Sequence, residues 1–249
     1  SDAEKERLFR LTQNLSRHQA EKLQGNSGAK ALKRMVACAT QDNSKLISTP
    51  DPGIDPLSNM NFSTIWEIDE NSNRRSRDFA FASIVYNVLK DNAGTATLTL
   101  GGYDYHNGTR TAGDQKDLEA GILIGKVLES FAVMQKKAFL VVTTDGSVTG
   151  PESDSPGGIW TTDRGGAGCL YMMAHDPTTT PKASSFQLGH FTEGQVADEK
   201  FVTGGTPEMA MAGIFANYLN FNSQIDKLES VIPRVISSGD VDKVLKIAA

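Results

Sequence analysis

A long amphipathic segment runs directly into an uncharged, continuously apolar pentapeptide, Ala138-Phe139-Leu140-Val141-Val142. Over residues 116–136, Ala120, Leu123, Ile124, Val127, Leu128 and Phe131 recur at helical spacing, and Lys136-Lys137 suit the negative end of a helix dipole. The pentapeptide has the pattern of a strand buried on both faces. Upstream, Thr95-Ala96-Thr97-Leu98-Thr99-Leu100 is a β-prone run. Strand, helix and strand over 95–143 predict a βαβ unit, and with it an α/β fold whose mostly parallel sheet is flanked by helices. A third buried strand is expected at 169–174, Cys-Leu-Tyr-Met-Met-Ala.

The remaining periodicity is helical. Residues 3–23 carry Leu8, Leu11, Leu15 and His18 on one stripe, and 29–40 place Leu32, Met35, Val36 and Ala39 on one face. The two segments predict a helical hairpin packed on a core, with a partner-binding coiled coil as the alternative. Pro50, Pro52 and Pro56 make 41–60 a loop or linker. The expected organisation is thus a hairpin and linker over 1–60 and an α/β domain over 61–249. Ile65-Trp66-Glu67-Ile68 reads as a short strand or a turn of helix, and the Arg74, Arg75 and Arg77 segment as a hydrated loop. Helices are predicted over 78–91 and 207–219, the latter from a Thr206 cap, Pro207 and Glu208. One or two short helices are expected in 224–247.

Composition narrows the function. The 249 residues carry 25 Lys+Arg against 30 Asp+Glu, a net −5, which argues against a nucleic-acid surface or an anionic-membrane surface. No apolar run approaches the ~18 residues of a membrane span. The opening Ser1-Asp2-Ala3-Glu4-Lys5 is polar, as in a mature chain whose targeting segment has been removed. Cys38 and Cys169 lie in no metal-type spacing and fit either one disulfide or two buried thiols.

In an open α/β sheet, ligands bind beyond the carboxyl ends of the strands. Three expected strand ends carry suitable groups: Asp104 and His106 after the first, Asp145 after the second, and Asp163-Arg164 just before the third. The connecting stretch 144–168 holds seven glycines and no apolar period. A loop of that length in a compact domain is functional or mobile. Three carboxylates and an imidazole on one rim would suit Zn, Mn, Mg or Ca. His175 and His190 are expected to be structural or exposed.

Gly101-Gly102-Tyr103-Asp104-Tyr105-His106, Val141-Val142-Thr143-Thr144-Asp145-Gly146-Ser147 and Thr162-Asp163-Arg164-Gly165-Gly166-Ala167 together resemble, in order and spacing, the motifs of the DUF1501 family. The resemblance spans about 78–220. It implies an alkaline phosphatase- and sulfatase-like core and metal ligation by Asp104, His106, Asp145 and Asp163. It also places His190 near a position where some superfamily enzymes supply a last ligand. Two departures matter. Arg164 stands where the family has histidine; a guanidinium has no lone pair for a metal, but can bind an ester oxyanion, which would be its catalytic role. No upstream strand delivers a hydroxyl nucleophile, and Ser63 and Thr64 fit that role poorly. The expectation is therefore a C-terminal part or a reduced member. It would be a periplasmic or secreted, degenerate relative of metal-dependent phosphate and sulfate ester hydrolases, acting on a small anionic ester. An active hydrolase, or a non-catalytic secretion-pathway module that binds protein through its N-terminal helices, is the alternative.

Overall fold

A computed structural model describes residues 2–22, 33, 53–103, 110–144, 146, 168–185, 187–194, 196–233 and 235–248. The chain divides into two compact units, Ser1–Ala96 and Thr97–Ala249.

In the first unit, α1 spans Asp2–Lys22. Of the expected second helix, 29–40, only Lys33 falls within the described residues, and it is helical. A 3-10 turn, Pro56–Ser58, is capped by Asp55, whose side chain accepts from the Leu57 N–H. Helix α2, Met60–Trp66, is capped by Asn59 and ends on Glu67 in the left-handed region (φ 55°). The Ile65–Ile68 segment is therefore the end of a helix. Helix α3, Arg77–Leu89, starts at Ser76, whose hydroxyl accepts from Phe79 N–H. Its stripe of Phe79, Ala82, Val85, Tyr86 and Leu89 is buried together with Phe62 and Trp66. The Phe62 ring stacks on Trp66 at 6.0 Å and meets Tyr86 edge-on at 5.0 Å. Arg74 leaves solvent in part: it pairs with Asp55 at 2.9 Å and lies over the Phe79 ring.

The second unit holds α4 (Arg110–Val133), β1 (Ala138–Val142), β2 (Tyr171–His175), β3 (Lys182–Ala183), α5 (Pro207–Phe221), the short helices α6 (Leu228–Val231) and α7 (Val241–Val244), and β4 (Ile247–Ala248). A tight turn with Gln135 at φ 51° joins α4 to β1.

The expected mostly parallel, alkaline phosphatase-like sheet is not what forms. β1 pairs with β2 antiparallel, from Ala138↔His175 to Val142↔Tyr171, and β3 pairs with β4 antiparallel. The Thr95–Leu100 run is not a strand, so there is no βαβ unit over 95–143. The physical reason is that an apolar run reports burial and says nothing of the direction of its neighbour. Nor is β1 covered on both faces: all five residues are half-buried. Phe139 meets Tyr218 edge-on at 5.7 Å and Phe221 at 6.1 Å, both from α5.

The main core gathers on α5. Ala212, Ala216 and Leu219 pack with Leu228, Ile236 and Val244. The predicted start of α5 holds: the Thr206 hydroxyl accepts from Met209 N–H, and Pro207 fills the first turn. Within the helix stripe, Asn217 is fully buried. Its amide nitrogen donates to Gly213 O and Val244 O, and its oxygen accepts from Lys246 N–H and Ile247 N–H. That one side chain ties the C-terminal segment to α5.

After β2, the Thr178 hydroxyl and then its N–H donate to Asp176, with Lys137 alongside at 3.3 Å, and these hold the carboxyl down to about 2. A depressed folded-state value means stability is present above the ordinary aspartate range and lost as pH falls toward 2. In urea titrations from pH 5 to pH 2, D176N will therefore show a shallower acid loss than the parent chain; parallel curves would refute this.

Candidate functional site

The antiparallel pairing fixes a geometry that a parallel sheet would not. β1 ends at Val142 opposite Tyr171, where β2 begins, so the excursion between the strands leaves and returns at one rim. The two ends are tied: the Thr144 hydroxyl lies 2.9 Å from Gly146 O and 3.3 Å from Cys169 O. Gly168 closes the neck. A Cβ there would lie 2.8 Å from both Gly146 O and Thr144 Oγ1, closer than real Cβ contacts come, so the approach needs glycine. Two of the three expected strand ends thus meet, on one hairpin.

The third, Gly101-Gly102-Tyr103, follows no strand. It is seated against α4: Gly102, at φ +83°, lies under the Lys116 side chain, and Lys116 Nζ stands 5.6 Å from the Tyr103 ring centroid. Lys116 also pairs with Glu119 at 2.9 Å.

Asp104, His106, Asp145, Asp163 and Arg164 lie outside the described residues. Among the described residues, no group of three or more His, Cys, Asp or Glu is placed to hold a metal ion. His175 is half-buried, its Nδ1 3.0 Å from Lys136 O. His190 lies 3.7 Å from Asp198 and stacks on Phe201 at 5.7 Å. Cys169 is exposed rather than buried, and Cys38 is outside the described residues. The Ser63 and Thr64 hydroxyls both donate to Met60 O within α2, as helix side chains do rather than a poised nucleophile.

The role of Thr144 and Gly168 as a clasp was missing from the sequence reading. Thr144 stood inside a motif singled out for other reasons and Gly168 only in the glycine-rich stretch 144–168, and the local signal that could have found the first is the Thr144-Asp145-Gly146 spacing where the excursion leaves β1. Among the described residues, no helix is long and apolar enough to cross a membrane. Compared with family models, with curated proteins and with solved structures, the chain matches none.

Proposed function

We propose that this chain is a reduced relative of metal-dependent phosphate and sulfate ester hydrolases, one that keeps a cation- and anion-binding rim and has lost efficient turnover. The observation that supports it is the neck. Asp145 sits between two of its members, Thr144 and Gly146, and Asp163-Arg164 stand only a few residues ahead of Gly168. The reading rests on this site chemistry and on the motif resemblance, since the sheets among the described residues are antiparallel. Its extracytoplasmic setting, periplasmic or secreted, rests on the resemblance alone.

The donor set fits a hard or borderline dication. Asp145 and Asp163 with Asp104 and His106 would supply oxygen and nitrogen ligands for Zn, Mn, Mg or Ca. Such an ion, when bound, polarises an ester oxygen. Arg164 would hold the ester's anionic oxygens in a bidentate pair. The two hydroxyls weighed as nucleophiles are engaged inside α2, which favours the reduced reading over full catalysis.

Metal analysis of the full chain, loaded with Zn or Mn and then dialysed, is the test. One cation per chain is expected, lost in D104A, H106A, D145A and D163A, with little turnover of nitrophenyl phosphate or sulfate. Absence of a stoichiometric ion would remove the proposal. A second reading, a non-catalytic binding module, is favoured by one observation: the leucine stripe of α1 faces outward.

A further inference from the structure

Helix α1 presents its apolar stripe to solvent and its more polar face inward. Leu8, Leu11 and Leu15 are 67%, 58% and 58% exposed. The covered or half-covered positions are Phe9, Gln13, Ser16 and Ala20, a separate stripe at helical spacing. Three long aliphatic side chains at spacings of three and four are the seam positions of a coiled coil, which buries them only against another helix.

We propose that the occupant is α1 of a second copy of this chain, packed antiparallel. The charges around the seam select both partner and direction. Extended by heptad spacing, the seam runs Glu4, Leu8, Leu11, Leu15, His18, Lys22. A parallel, in-register pair sets Glu4 on Glu4, His18 on His18 and Lys22 on Lys22, like on like in three layers. An antiparallel pair centred between Leu11 and Leu15 sets Leu11 on Leu15, Leu8 on His18 and Glu4 on Lys22. The flanking positions agree with that register: Arg7 then faces Glu21 of the other copy, with Asn14 on Asn14 between them. Both ends of the seam close with opposite charges, and each contact occurs twice except the Asn14 self-pair, which lies on the axis, as two-fold symmetry requires. Arg7, Glu21 and Lys22 are all exposed. The inference is independent of the metal-site proposal.

Sedimentation equilibrium of the full chain across a concentration series tests it, with R7E, L11E and the R7E/E21R double variant. Leu11 and Arg7 are exposed, so none of these changes removes a core contact. A monomer–dimer equilibrium is expected. L11E and R7E should each raise the dissociation constant by roughly tenfold or more, and E21R should restore most of what R7E loses. Three results would overturn the proposal. One is a monomer throughout, with L11E lowering thermal stability, as when residues 29–40 of the same chain cover the stripe. Another is a dimer indifferent to L11E. The third is a double variant no tighter than R7E, which excludes the antiparallel register.

Discussion

Asn217→Ala will lower the stability of the second unit by about 3–5 kcal/mol, read as a drop in the urea midpoint. The residue is wholly buried and uses both amide hydrogens and both lone-pair sites. Alanine removes four hydrogen bonds and leaves Lys246 N–H, Ile247 N–H and Val244 O without that partner. An unsatisfied buried backbone group costs about 1–3 kcal/mol, and a domain of this size has only about 5–15 kcal/mol in total. The neighbouring Asn220 donates once, to Ile247 O, at the edge of the same junction. Asn220→Ala should therefore cost about 1 kcal/mol. Hydrogen exchange adds a local readout: Lys246 and Ile247 amides should lose protection in Asn217→Ala before those of α5 do. Equal midpoints for the two variants would show that Asn217 does not hold the C-terminal segment to α5.

Gly204→Ala should be comparably damaging, by a different route. A Cβ at Gly204 would overlap Asp198 O and lie 2.6 Å from Asp198 C and 3.1 Å from Glu199 N. All three are backbone atoms, so no side chain can swing aside. The turn must open, and it carries Phe201 N–H to Asp198 O, Gly204 N–H to Phe201 O and Lys200 N–H to the Asp198 carboxylate. Buried Thr203, whose hydroxyl donates to Leu188 O, moves with it, and Thr203 packs where Gly213 leaves room on α5. A loss of about 3 kcal/mol or more is expected, at the upper end for overpacking. Gly239→Ala, where the added carbon meets nothing within 4 Å, is the matched control. Similar denaturation midpoints for the two would contradict the close approach.

The parts of the fold that were legible carry local signals. The Thr206-Pro207 pair announces α5, because a cap satisfies helix N–H groups by itself and needs no tertiary partner, whereas α3 was legible from its apolar spacing alone and its Ser76 cap was not read. Apolar spacing found α1 and most of α4. It placed the start of α4 at 116 rather than 110, since Arg110–Gln115 offers no apolar stripe. The strand at 138–142 was visible as an apolar run, and the one at 171–175 as a run expected at 169–174, yet their mutual direction was not, because pairing is decided far along the chain. Asn217 was invisible for the converse reason: an amide inside a helical stripe looks like a solvated residue until its acceptors arrive from residues 244–247. The leucines of α1 were correctly read as one face, and the structure turns that face outward. Of the candidate site, the strands that carry the neck were legible as apolar runs and the clasp of Thr144 on Gly146 and Cys169 was not, while Asp104, His106, Asp145, Asp163 and Arg164 lie outside the described residues.

The clasp at Thr144, Gly146, Gly168 and Cys169 has an entropic consequence. Closing a chain excursion costs only about 0.6 kcal/mol more each time its length doubles. Because the two stems are already fastened at the rim of a hairpin, residues can be added or removed between them at little thermodynamic expense. The hairpin is in that sense a mount on which selection can change the insert without renegotiating the fold beneath.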